Sequence, residues 1–256
     1  MLGIGTAIPF NQNVGNLVAP LNPLQMSVPC GLWYDFTDLS QLTLNPSDNR
    51  IYEITQKGSF SNADLQNRTS TAPTSTFANG QFCARFDLNN SEQLPSMSSF
   101  SLLDNGVFVI VARLSDEGTE AVYGMATMRS PNVVSMRFIN NGANTTISQF
   151  TTGSTQATDS QPTSPIATSI NVSMYNISST DEKVTAFNNN NAVESTAMPN
   201  DPVTTAGTFI VGSSNTSAQF FNGDIFEVIY FANELNDQLR GEILAYTETK
   251  YAIPQA

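Results

Sequence analysis

The chain has 256 residues, 40% of them apolar and only 12% charged, with no histidine and a formal net charge of −12. That is enough apolar material for one sizeable core, and it argues against a disordered chain. The ten basic residues are scattered, which excludes the clustered Lys and Arg that nucleic acid or an anionic membrane requires, and the lack of His excludes Ser-His and Cys-His nucleophiles and histidine metal ligation.

Residues 1–34 carry no charged side chain, and Pro9, Pro20, Pro23 and Pro29 interrupt them. Prolines at such intervals forbid a long helix and favour an extended path. The segment lacks the basic start and unbroken apolar stretch of a secretory signal, and no run reaches the length of a membrane span. Residues 1–30 are therefore expected to form an extended N-terminal arm. Such an arm either lies across its own domain or docks on another subunit, because uncharged, apolar-rich chain is poorly soluble when left free.

From Cys30 the pattern is that of a β protein. Strands are expected at 31–36, 51–55, 81–88, 107–114, 121–127, 133–139, 168–175, 183–188, 208–213 and 225–231. Val107 to Leu114 is the most apolar of these and reads as central. Phe82, Ala84, Phe86 and Leu88 alternate with Cys83, Arg85 and Asp87, as in a strand with one buried face. Three stretches, 57–80, 140–167 and 189–206, read as long loops, the middle one with room for a short hairpin around Ile147 to Phe150. Ile225 to Phe231 is an apolar run broken only by Glu227, which suits a strand covered on both faces. Asn236 is a candidate N-cap with Asp237 in the first turn. Leu239, Ile243 and Tyr246 form one helical stripe, and Lys250 complements the dipole at the far end. The expected fold class is all-β: an antiparallel two-sheet sandwich over 31–256 with one C-terminal amphipathic helix at 237–250.

The C-terminal segment also carries a family likeness. Phe221, Gly223, Ile225, Glu227, Val228, Ile229, Tyr230, Leu235, Asp237, Tyr246, Lys250 and Tyr251 stand where the laminin-G-like branch of the concanavalin A-like lectin/glucanase superfamily has its closing strand and helix. Leu32-Trp33-Tyr34-Asp35 resembles the opening strand of that branch, and Asn79-Gly80 through Phe86-Asp87 resembles a hairpin ending in Phe-Asp. The resemblance implies a jelly-roll sandwich, and it is one of fold rather than of a single activity.

Glucanases of this superfamily, as the resemblance implies, set catalytic carboxylates at alternate positions of one strand. No two Asp or Glu residues here are spaced i, i+2. The nearest approach, Asp224 and Glu227, is spaced i, i+3, which places the two on opposite faces of a regular strand. No catalytic residue is assigned. Calcium is the family's other option, and Asp87, Asn89 and Asn90 form a feasible oxygen cluster that reads more simply as a solvated turn; no metal or cofactor site is assigned. Cys30 and Cys83 allow one disulfide, but nothing indicates an oxidising compartment and they read as reduced thiols. Six N-x-S/T sequons, beginning at Asn67, Asn89, Asn144, Asn171, Asn176 and Asn215, are what so Asn-, Ser- and Thr-rich a chain produces by chance. Trp33 reads as core rather than as a sugar-stacking surface.

The resemblance extends to lectin-like domains in structural proteins of bacterial viruses. The expectation is a non-enzymatic virion structural protein, a capsid decoration or fibre component, anchored by its arm to other virion proteins and forming a homo-oligomer. The alternative is a carbohydrate-binding lectin or adhesin for host attachment. A surface glycan is a possible partner in either case.

Overall fold

The computed structural model describes residues 22–101, 105–115, 122–129, 134–140, 146–152, 155–158, 169–178, 181, 183–188, 195–197, 206–213 and 219–253. Within them the chain forms an antiparallel sandwich. The larger sheet runs, edge to edge, through Ser195–Ala197, Lys183–Asn188, Asn171–Ser178, Gly106–Leu114, Gly223–Phe231, Gln81–Phe86 and Thr74–Ala78. Cys30–Asp35 pairs with the far half of Gly223–Phe231, beyond the point where Gln81–Phe86 leaves it. The facing sheet is ordered Thr155–Thr158, Thr146–Thr152, Val134–Asn140, Val122–Arg129, Thr208–Val211 and Leu94–Pro95, and a small third sheet joins Leu42–Leu44, Ile51–Ile54 and Leu65–Gln66. The single α-helix of the described residues, Asp237–Tyr251, lies against the outer face of the larger sheet.

All ten expected strands are present, and the most apolar of them, Gly106–Leu114, is indeed central. The hairpin expected around Ile147 to Phe150 is present as Thr146–Thr152 paired with Thr155–Thr158, and the expected long loops are otherwise shorter than read. Leu65–Gln66 and Thr74–Ala78 fall inside 57–80, Thr146–Thr152 and Thr155–Thr158 inside 140–167, and Ser195–Ala197 inside 189–206. These strands are rich in Thr, Ser and Gln and lie mostly at or near sheet edges. A strand with little apolar alternation gives hydrophobic periodicity nothing to detect, although Thr itself favours extended backbone.

The closing strand Gly223–Phe231 is buried along its whole length because both of its faces are covered. Inward, Val228 and Tyr230 join Tyr34, Phe36, Phe108, Ile110, Met125 and Phe209 between the sheets. The rings pack against one another through that layer, tilted with centroids 4.7 Å apart for Phe108–Tyr230 and stacked at 5.7 Å for Phe108–Phe209. Outward, Phe226, Ile229 and Phe231 pack with Val109, Val172, Leu239, Ile243 and Tyr251 under the helix. The helix begins as expected: Asn236 Oδ1 accepts the Leu239 amide at 2.8 Å, and Asp237 stands in the first turn.

Residues 22–29, the last part of the segment read as an arm, lie on the sandwich itself. Met26 and Val28 are buried in the layer under the helix, and the Ser27 amide and hydroxyl both donate to Glu242 at 2.8 Å. A short 3-10 turn at Pro23–Gln25, capped by Asn22, leads into them. Residues 1–21, the remainder of that segment, lie outside the described residues.

The free edge of Cys30–Asp35 is covered by the loop that follows Ile51–Ile54. Lys57, Ser59 and Phe60 amides donate to the carbonyls of Trp33, Cys30 and Gly31. The two backbones come so close that a Cβ at Gly58 would sit 2.3 Å from the Gly31 carbonyl oxygen. Only glycine permits that approach, and it anchors Lys57 beside Trp33.

Candidate functional site

Side-chain alternation along Gly223–Phe231 is broken by a bulge. Ile225 pairs with Ala112 and Glu227 with Val111, so Phe226 is the extra residue. Its carbonyl accepts the Phe36 amide at 3.0 Å instead. The bulge turns Phe226 and Glu227 to the same side. The sequence expectation that Asp224 and Glu227 occupy opposite faces is therefore corrected: both side chains meet partners of the outer, helix-side layer. The i, i+3 rule presumes an unbroken pleat, and this strand does not have one.

The two carboxylates belong to separate clusters. Asp224 is fully buried and held by the residues opposite it on both neighbouring strands. Arg85 donates from Nε and Nη2 at 2.8 and 3.0 Å, and Arg113 from Nε at 2.7 Å. Glu227, also fully buried, lies cross-strand from Asp35. Its Oε1 accepts from Tyr246 OH at 2.6 Å, from Trp33 Nε1 at 3.2 Å and from Lys250 Nζ. Lys250 Nζ also donates to Asp35 Oδ1 at 3.1 Å and to the Tyr246 hydroxyl at 3.1 Å. Asp35 takes two further bonds from Thr37 and one from Lys57, which in turn reaches Asp38 at 2.8 Å. Lys57 Nζ stands 4.4 Å from the centroid of the Trp33 ring, a cation–π contact.

Burial pushes the Glu227 carboxyl above its usual range, and Lys250 only partly offsets it. Asp35 moves the other way: burial raises it, but Lys250, Thr37 and Lys57 together hold it below the ordinary value. Lys57, with Ser40, holds Asp38 down at about 2. Opposed shifts on neighbouring carboxyls resemble an acid–base pair. Here, however, Glu227 is sealed beneath Tyr246 and Trp33, and Asp35 is 4% exposed. The arrangement holds helix to sheet.

Beside this cluster a cleft of about 380 Å³ opens between the helix end and the opening strand, lined by Asn22, Trp33, Asp35, Tyr246, Thr249 and Lys250. Its aromatic walls come from Trp33 and Tyr246. The other residues singled out from sequence lie elsewhere. Trp33 is core as expected, 6% exposed and packed under the helix, although it also walls the cleft. Cys30 and Cys83 are buried free thiols, and burial pushes each up to about 12. Asp87 caps a 3-10 turn, accepting the Asn89 amide at 2.9 Å and the side-chain amides of Asn89 and Asn90. Lys57 carries no signal in the sequence, and Asp35 and Lys250 stand out there only as part of the family likeness and, for Lys250, as a complement to the helix dipole. One signal was legible: Tyr246 and Lys250 are four apart on one helix face. Their partners across the sheet were not.

No protein-family model matches the chain, and no curated protein matches its sequence. Solved structures do. Domain 4 of AbnA, a GH43 extracellular arabinanase from Geobacillus stearothermophilus, in complex with arabinotriose, is similar with a TM-score of 0.54 and 13% identity, covering 84% of this chain and 98% of that one. A heptameric SAP-like pentraxin from Limulus polyphemus has a TM-score of 0.49 at 10% identity, covering 62% of this chain and 75% of its own. The Ruminococcus gnavus IT-sialidase CBM40 bound to α2,3-sialyllactose has 0.44 at 13%, covering 55% and 83%. What the arabinanase domain shares with this chain is the fold, an antiparallel jelly-roll sandwich.

Proposed function

We propose that this chain is a lectin-like domain that binds carbohydrate without turning it over. The observation that carries the reading is the contrast inside one layer. Asp224 and Glu227, the carboxylates nearest to a glycosidase pair, are each engaged by Lys or Arg, while a cleft lined in part by Trp33 and Tyr246 opens beside the Glu227 cluster. A retaining or inverting glycosidase needs two carboxyls reachable from the scissile bond, and Asp224 and Glu227 are fully buried. The similarity of the whole sandwich to an arabinanase domain in complex with arabinotriose supports the same direction. The test is a glycan array run alongside a reducing-end assay on β-glucans, galactans and alginate. Binding to at least one glycan with no release above a heat-killed control is expected. Turnover that disappears in Glu227→Gln would overturn the reading.

A second reading rests on the charge-free first 34 residues. In it the same lectin-like domain is a virion structural protein, a capsid decoration or fibre component, held to its partners or to further copies by the segment preceding Asn22. Mass spectrometry of purified particles tests that location; its absence from every particle fraction would sink it.

A further inference from the structure

We propose that the cleft under the helix end is the sugar-contacting site, and that it takes an electrically neutral glycan. The inference rests on the carbohydrate-binding reading above and adds a place and a ligand class to it. A volume of about 380 Å³ lies at the lower end of small-molecule sites, about 300–1,000 Å³, and gives space for one or two sugar rings. One face of a sugar ring presents C–H groups and its rim presents hydroxyls. The cleft matches this division on a small scale, with the exposed parts of Trp33 and Tyr246, 6% and 7% of each residue, and Asn22 and Thr249 as further, uncharged lining.

The charge of the ligand follows from how the lining charges are used. Lys250 has three protons, and they are committed to Asp35, Glu227 and the Tyr246 hydroxyl. Asp35 is already held by Lys250, Lys57 and Thr37. An anionic sugar draws Lys250 away from Glu227, leaving a fully buried carboxylate without its counter-charge, which is strongly unfavourable. It also approaches a chain of net charge −12. A cationic sugar draws Asp35 away from two lysines. A neutral ring disturbs neither pair.

The experiment uses Trp33, the single tryptophan of the chain, as a built-in reporter. The full-length protein is titrated with neutral oligosaccharides (arabinan, xylan, glucan and galactan fragments) and with acidic ones (sialyllactose and galacturonan fragments) while its emission is followed. A saturable emission change with at least one neutral series, insensitive to added salt, is expected. Thr249 is exposed on the helix and outside the ion cluster, so Thr249→Phe narrows the cleft without touching that cluster. It should weaken binding by about tenfold or more at an unchanged melting temperature. A glycan that binds on the array but leaves the emission unchanged and is indifferent to Thr249→Phe overturns the cleft and spares the carbohydrate reading. Binding confined to acidic sugars and lost in salt overturns the neutral class. If no glycan binds in either assay, the carbohydrate reading falls and this inference with it.

Discussion

The two faces of the closing strand bury different chemistry. Inward, Val228 and Tyr230 meet a layer made almost wholly of hydrocarbon and aromatic rings, with Phe108, Phe209 and Tyr34 stacked through it. Outward, Phe226, Ile229 and Phe231 meet the helix, but the same face carries Asp224 and Glu227, both fully buried. The inner layer is held by apolar burial, which is non-directional and tolerates sliding. The outer layer adds charge pairs that fix one register of helix on sheet, and it leaves a cleft at the helix end. Stability belongs mainly to the first face, and the geometry of the candidate site to the second.

The largest expected effect comes from placing a charge on either face. Val228→Asp and Ile229→Asp should each cost on the order of 4 kcal/mol or more, since neither aspartate gains a partner. Val228→Asp should be the worse, because the described residues of its layer include no Lys or Arg. Urea denaturation checks both. An Ile229→Asp protein melting within a degree or two of the parent would mean the outer face is not core.

Next is Lys250→Met, which keeps the packing of the stem and removes the charge shared by Asp35 and Glu227. Breaking a buried pair costs about 3–5 kcal/mol, and the lower end is expected because Lys250 retains 21% side-chain exposure. Its pH dependence has a definite sign. Glu227 has a raised carboxyl, so its folded form holds a proton more tightly than the unfolded chain does. Stability from that group is present at low pH and lost as pH rises through the folded value. Without Lys250 the penalty should therefore be larger at neutral pH than near pH 4. The parent should show the opposite limb from Asp35 and Asp38, whose values are lowered, Asp38 from 3.8 to about 2. Their contribution is present above pH 4 and is lost as pH falls toward 2. Melting curves from neutral to acid for parent and variant separate the two limbs.

Smaller effects of opposite sign test the helix on its own. Asn236→Ala removes the cap and should destabilise by about 1 kcal/mol. Gly241→Ala adds a Cβ that meets nothing within 4 Å on an exposed helix position and should stabilise by about 1 kcal/mol. If both changes leave the melting temperature unmoved, the helix contributes little to the cooperative unit.

Much of this was legible in the residues. The apolar run Ile225 to Phe231 announced a strand covered on both sides, and Asn236, Asp237, the Leu239–Ile243–Tyr246 stripe and Lys250 outlined the helix that covers one of them. Alternation marked Gln81–Phe86 to within two residues. Strands such as Thr74–Ala78 and Ser195–Ala197 were not seen, because polar strands carry little hydrophobic period. The site was less legible for a different reason. Asp35 and Glu227 are 192 residues apart in sequence and meet only through strand register, and a single inserted residue at Phe226 reverses which face Glu227 takes. Neither register nor bulge is written in local spacing.

The claim that the outer layer is fastened by a buried charge cluster is tested most directly by a double-mutant cycle on Glu227 and Lys250. Unfolding free energies are measured for the parent, Glu227→Gln, Lys250→Met and the double variant at neutral pH. A favourable coupling of about 2 kcal/mol or more is predicted, in the upper part of the range for contacting residues. A coupling within about 0.5 kcal/mol of zero, as for residues that act independently, would contradict it and leave the helix held by apolar burial alone.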